Sequence, residues 1–112
     1  MIAGDQIRGH LEGLILRVLE DGPAHGFDVL RRLEERGCGL LRLKEGTLYP
    51  ALYRLEEAGH IRGQWESAAE PRRGPRRRTY RLTAGGKKEL ARRRADWSAF
   101  VTIIGGILEV PT

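Results

Sequence analysis

Leu11, Leu14, Ile15, Val18 and Leu19 recur at the i, i+3, i+4, i+7, i+8 spacing of an amphipathic helix. The pattern predicts a first helix from about Asp5 to Glu20. Asp21-Gly22-Pro23 ends it, because Gly accepts a left-handed cap and Pro cannot continue a helix. Phe27, Leu30 and Leu33 form the apolar stripe of a second helix, about Gly26 to Glu35, closed by Arg36-Gly37. Leu40-Leu41-Arg42-Leu43 fits an extended segment or a turn. A third helix, Thr47 to about Ala58, buries Leu48, Leu52 and Leu55. Thr47 suits its N-cap, Pro50 then falls in the first turn, and Gly59 closes the helix.

The period then changes. His60–Glu66 alternates partly, with Ile61 and Trp65 as inward positions, and Thr79–Leu82 alternates too. Ser67–Arg78, rich in Pro, Gly and Arg, reads as the loop of a hairpin. Thr83 is another N-cap candidate. After it, Leu90, Arg94, Trp97, Val101, Ile104 and Leu108 step by four and three alternately, a heptad seam with one charged position. Ala99–Val110 is apolar well beyond that seam, so it calls for cover from elsewhere. Gly105-Gly106 weakens the last turns and marks a place to bend or end. There is no internal repeat and no long linker.

The expected fold is therefore mainly α with a small β-hairpin. Three helices followed by a hairpin form a winged helix-turn-helix, which sets one helix in a DNA major groove and a loop along the adjoining backbone. Residues 1–83 would be that domain, and residues 84–112 a long C-terminal dimerisation helix.

Composition narrows the reading. A chain of 112 residues suits one domain with an appended oligomerisation element, and 40% apolar with 31% charged residues fits a folded protein. The lone cysteine, Cys38, cannot form an internal disulfide and reads as a small filler beside a glycine turn. Asp5 and Arg8 interrupt the first nine residues, so they lack a signal-peptide pattern, and no apolar stretch reaches the length of a membrane span. The expected location is the cytoplasm.

The net charge of +5 is unevenly spread. Residues 72–94 hold eleven Lys or Arg against Glu89 alone, while the rest of the chain has nine bases and fourteen acids. Such a segment fits a polyanion partner, or simply a solvated surface.

Several stretches together resemble the PadR-like transcription regulators. They are His25-Gly26-Phe27-Asp28-Val29-Leu30, Glu45-Gly46-Thr47-Leu48-Tyr49-Pro50-Ala51-Leu52-Tyr53-Arg54-Leu55-Glu56, Ala58-Gly59-His60-Ile61, and Arg77-Arg78-Thr79-Tyr80-Arg81-Leu82-Thr83-Ala84-Gly85-Gly86. The resemblance covers roughly Leu11 to Leu90, and the short region after Thr83 resembles the compact subgroup with one C-terminal helix. It implies a homodimeric, sequence-specific repressor on double-stranded DNA. It makes the third helix the recognition helix and pairs the last helix with a partner copy. In some drug-responsive members an aromatic on that helix lines a flat pocket at the dimer centre, which Trp97 matches in kind. Two readings of Trp97 follow: a dimer-core tryptophan with no ligand role, or one wall of a site for a small flat aromatic ligand as a further partner.

The residues fit those roles chemically. Gly46, Thr47 and Pro50 begin the third helix, whose free N–H groups can hold a phosphate, and Lys44 precedes it. Tyr49 and Tyr53 share one face, where a phenol can bond phosphate or touch a thymine methyl. Arg54 has the reach for a guanine edge or a phosphate. Arg72, Arg73, Arg76, Arg77 and Arg78 load the wing, and alternation makes Arg77 the one expected to face the body. Leu11, Ile15, Trp97, Val101, Ile104 and Leu108 are the expected dimer contacts.

Other chemistries find little support. His10, His25 and His60 do not cluster with Cys38 or a carboxylate at metal-ligand spacing, and His25 reads as a local hydrogen-bonding residue. There is no nucleophile–base arrangement, phosphate loop or catalytic acid pair, so neither an enzyme nor a cofactor is expected. A basic protein that merely coats nucleic acid would not need a capped, patterned helix beside a wing.

Overall fold

The computed structural model describes residues 7, 9–66 and 77–111. Its elements are α1 (Leu11–Glu20), β1 (Ala24–His25), α2 (Gly26–Arg36), α3 (Glu45–Glu57), β2 (Ile61–Trp65), β3 (Arg78–Leu82) and α4 (Ala84–Leu108). The architecture is mainly helical with one small antiparallel sheet, as the periodicity predicts. The sheet order is β1-β3-β2. Its third strand, β1, was not foreseen: Ala24 and His25 pair with Tyr80 and Thr79. Two residues behind a proline carry too little alternation to announce a strand.

Several boundaries differ from expectation. α1 begins at Leu11, and Asp5, the expected start, lies outside the described residues. Gly9 has φ +89, and the His10 N–H bonds the Ile7 carbonyl at 2.8 Å, which makes a turn there. α2 buries Gly26, Val29, Leu30 and Leu33, so Leu30 and Leu33 lie inward as expected while Gly26 and Val29 take the place given to Phe27. Phe27, expected inside, is 62% exposed. The glycine heading the true stripe hides it from a hydrophobicity reading. Cys38 lies exposed at φ +55 beside Gly39 at φ +75, turning the chain instead of filling a core. Leu41 and Leu43 are then buried while Arg42 and Lys44 face outward, so this segment alternates like an extended chain.

α3 starts at Glu45, two residues before Thr47, so Thr47 is not its cap. The Lys44 carbonyl accepts from the N–H groups of Thr47 (2.9 Å) and Leu48 (3.1 Å), and no side chain caps this end. Pro50 therefore sits in the second turn and offers no N–H to the Gly46 carbonyl, an exposed position that water can serve. At the other end Gly59 is left-handed (φ +78). The His60 N–H reaches the Leu55 carbonyl at 2.9 Å, and the Gly59 N–H reaches Glu56 at 3.0 Å. This paired pattern satisfies carbonyls that a helix end leaves free.

The core joins Ile15 and Leu16 of α1, Val29 of α2, Leu48, Leu52 and Leu55 of α3, and Ile61 of β2. Trp65, expected inside, is 54% exposed at the outer end of its strand. Thr83 does cap α4: its hydroxyl accepts from the Gly86 N–H at 3.0 Å and donates to the Gly59 carbonyl at 2.7 Å. Only Gly86 and Leu90 of α4 are buried. Gly105-Gly106 does not end the helix, which continues to Leu108 before Glu109 turns left-handed at φ +58.

Candidate nucleic-acid interface

One face of α3 belongs to the core and the other to solvent. Leu48, Ala51, Leu52 and Leu55 point inward. Gly46, Thr47, Tyr49, Pro50, Tyr53 and Arg54 lie exposed, with Lys44 just ahead of them. Tyr49 and Tyr53, one turn apart, are 45% and 66% exposed. Tyr49 leans on the head of α2, where a methyl added at Gly26 would lie 2.7 Å from its hydroxyl. The Glu57 carboxylate beside Tyr53 accepts from its phenol and holds the pKa above the ordinary value. Arg54 reaches back across the fold to Glu12 on α1, Nε to Oε2 at 3.4 Å. An open hollow between α3 and the hairpin is lined by Tyr49, Tyr53, Glu56, Glu57, Arg78 and Tyr80.

Of the five wing arginines, Arg72, Arg73 and Arg76 lie outside the described residues. Arg77 is exposed, and its main chain exchanges bonds with Glu66: the Glu66 N–H to its carbonyl (2.8 Å), and its own N–H to the Glu66 carboxylate (2.9 Å). Of the two described, Arg78 faces the body, correcting the expectation placed on Arg77. In register it pairs with Trp65, on the side of the sheet that carries Ile61, Tyr80 and Leu82. Its guanidinium donates to the Glu56 carboxylate and lies 5.2 Å from the Trp65 ring centre.

Ion pairing sorts the cations. Arg17 and Arg36 pair with Asp21, Arg31 with Asp28 and Glu35, Arg54 with Glu12, Arg78 with Glu56, Arg92 and Arg93 with Glu89, and Arg94 with Glu20. Hydrogen bonds from Arg92 first, then Arg93, hold the Glu89 carboxyl down to about 2. Among the described residues, Arg42, Lys44, Arg62, Arg77, Arg81, Lys87 and Lys88 make no ion pair, nor does Arg32, which donates to the Val18, Gly22 and Pro23 carbonyls instead. The basic segment 72–94 is thus partly neutralised within the fold. Arg42 and Arg62, outside that run, are free cations that the charge tally missed. His25 does hydrogen-bond, but to a distant partner, Thr79 of β3, at 3.2 Å.

On α4, Trp97 stacks on Phe100 at 5.6 Å and meets the edge of His10 at 5.0 Å. Trp97, Phe100, Val101, Ile103, Ile104, Ile107 and Leu108 are all exposed. Arg94, the charged position of the seam, bonds Glu20 at 2.9 Å. Leu11 and Ile15, expected to meet a partner, are 7% and 0% exposed within the chain's own core. Their surface is already used in packing α1, so they cannot offer it to a second copy. No described helix is long and apolar enough to cross a membrane.

Comparison with known proteins adds to this geometry. A family model described as the transcriptional regulator PadR-like family matches residues 15–92. An uncharacterized protein of Lysinibacillus sphaericus is 30% identical over 109 residues, 97% of each chain. A transcriptional regulator from Clostridium thermocellum superposes with a TM-score of 0.83 at 29% identity, over 95% of this chain and 97% of that one. A PadR family transcription regulator from Clostridium difficile gives a TM-score of 0.76 at 31% identity, over 89% and 99% of the two chains. The helical order, the small sheet, the long last helix and these matches agree: the chain belongs to the PadR-like family of transcriptional regulators.

Proposed function

We propose that the chain is a homodimeric repressor that binds a palindromic or pseudo-palindromic promoter site on double-stranded DNA in the cytoplasm. The exposed face of α3 carries this reading: two phenols, a threonine and a cation beside a helix start whose first N–H groups no side chain caps. Those N–H groups and Lys44 would hold a phosphate, while Tyr49 and Tyr53 meet the groove. Arg54 and Arg78 are engaged by Glu12 and Glu56, which favours Arg42 and Arg77, with Arg72, Arg73 and Arg76, as the backbone contacts. The role proposed is binding, not catalysis.

The same reading assigns residues 1–83 to DNA and residues 84–112 to dimerisation. The apolar second half of α4 would pair with its copy through Trp97, Val101, Ile104 and Leu108, aided by Phe100 and Ile107. Two recognition helices would then meet half-sites about 34–36 Å apart, or a multiple of that. A flat aromatic ligand beside Trp97 has only that side chain's exposure in its favour. Quenching of Trp97 emission together with release of DNA would establish it.

Selection of duplexes from random sequence tests the main reading. The recovered site should be palindromic, with affinity falling steeply between two salt concentrations as several phosphate counterions are displaced. A preference over random DNA below about tenfold, far under the ratios usual for regulators, would sink it.

A further inference from the structure

We infer that Arg78, Glu56 and Gly63 form a clamp that orients the hairpin against α3, which makes Arg78 a positioning residue and not a phosphate contact. This rests on the DNA-binding reading above and deepens it.

Glu56 lies in the last turn of α3, and Arg78 is the first residue of β3. The Arg78 guanidinium donates to the Glu56 carboxylate, tying hairpin to helix. It also lies over two rings, 5.2 Å from the centre of Trp65 and 6.0 Å from that of Tyr80. The two charged side chains are only 25% and 31% exposed. An arginine offers a planar fork to an acid and a cation to a ring, and here the fork meets Glu56 while the cation lies near both aromatics.

Gly63 is the independent sign. A methyl added there would fall 2.3 Å from Arg78 Nε and 2.7 Å from its Cζ. Gly63 is not among the glycines with positive φ, so the backbone makes no demand for glycine at this position. What needs the missing side chain is the guanidinium, which crosses the strand there on its way to Glu56. The clamp sits at the last described pair of the hairpin, Trp65 and Arg78. Residues 67–76, with Arg72, Arg73 and Arg76, follow it in the sequence. A change at this base alters how the described strands sit against α3.

The clamp reverses a simple electrostatic sign. Removing an acid beside a DNA-binding surface should by charge alone strengthen binding. If Glu56 positions the hairpin, Glu56→Gln weakens it.

The experiment uses the full chain and a duplex selected by the wild type. Affinity and its salt slope are measured for Glu56→Gln and Gly63→Ala. Trp65 emission, read in a Trp97→Phe background, reports whether the guanidinium has moved, and thermal unfolding confirms the fold. Both variants should bind roughly three- to tenfold more weakly, with a shallower salt slope and altered Trp65 emission. Affinity equal to or above wild type, with Trp65 emission altered, overturns the proposal, since Arg78 would then be a phosphate contact held back by Glu56. Unaltered Trp65 emission in both variants also overturns it. If the wild type selects no duplex, the DNA reading fails, and Trp65 emission still decides whether the clamp exists.

Discussion

Single atoms decide much of this molecule. A methyl at Gly86 would lie 2.0 Å from the His60 carbonyl oxygen and 2.8 Å from Leu82 Cδ1. Backbone cannot yield as a side chain can, so Gly86→Ala should destabilise the chain by about 2 kcal/mol. The drop will show as a lower thermal midpoint. Gly26→Ala has a different signature. Its methyl would strike the Tyr49 ring, the movable end of a side chain at the proposed interface. Stability should change little while DNA affinity falls roughly fivefold or more, read by titration against the selected duplex. The tyrosines themselves were legible in the sequence, because a one-turn spacing on a helix needs no knowledge of the fold. The occupation of Arg54 and Arg78 was not, since Glu12 and Glu56 lie 42 and 22 residues away. Charge counting registers a cation without its partner.

At the scale of elements, periodicity located all four helices but misplaced some of their ends and one face. Apolar stripes announce a helix through burial, whereas ends depend on backbone bonds. α3 begins two residues early because the Lys44 carbonyl accepts from the Thr47 and Leu48 N–H groups, which closes the first turn ahead of Thr47. The α2 stripe holds at Leu30 and Leu33 but not at Phe27, because its first inward residue, Gly26, has no apolar side chain to count. Arg94 of α4 reaches Glu20 on α1 and joins the two helices by charge as well as packing, while within α4 Glu89 accepts from Arg92 at 2.7 Å and from Arg93 at 3.2 Å. The Glu89 carboxyl is held at about 2, below the usual 4.5. Its stabilising contribution is therefore complete above pH of about 4.5 and disappears as pH falls toward 2. Glu20 and Asp21 are lowered in the same direction by Arg94 and by Arg17 with Arg36. Glu89→Gln should lose about 1 kcal/mol at neutral pH, a modest figure because Arg92 is well solvated. Melting curves of variant and wild type should converge as the solution is acidified toward pH 2. A gap that persists there would assign the loss to packing.

The whole molecule is elongated, 57 × 30 × 21 Å, and α4 runs on past its last buried residue, Leu90. Its exposed apolar half could be foreseen from the heptad steps. The burial of Leu11 and Ile15 in the subunit could not, because an amphipathic stripe does not say whose core it joins. Ile104→Asp places a charge in the middle of that exposed face. Sedimentation should then report a monomer, and affinity for a two-half-site duplex should fall toward that for a single half-site. A dimer that survives the aspartate would move the proposed seam elsewhere. The joint at Thr83 has a consequence for the DNA as well. One hydroxyl grips the carbonyl behind α3 and the N–H that opens α4, and Gly86 leaves no room between them. Under the proposed function, α3 and the α4 arm would therefore behave as the jaw and beam of a caliper with a fixed gap. One residue inserted before Ala84 would swing the apolar face by about 100° around the arm. In that proposal, one base pair inserted between half-sites would likewise set a correct sequence out of reach, and the operator would be read as a length as much as a text.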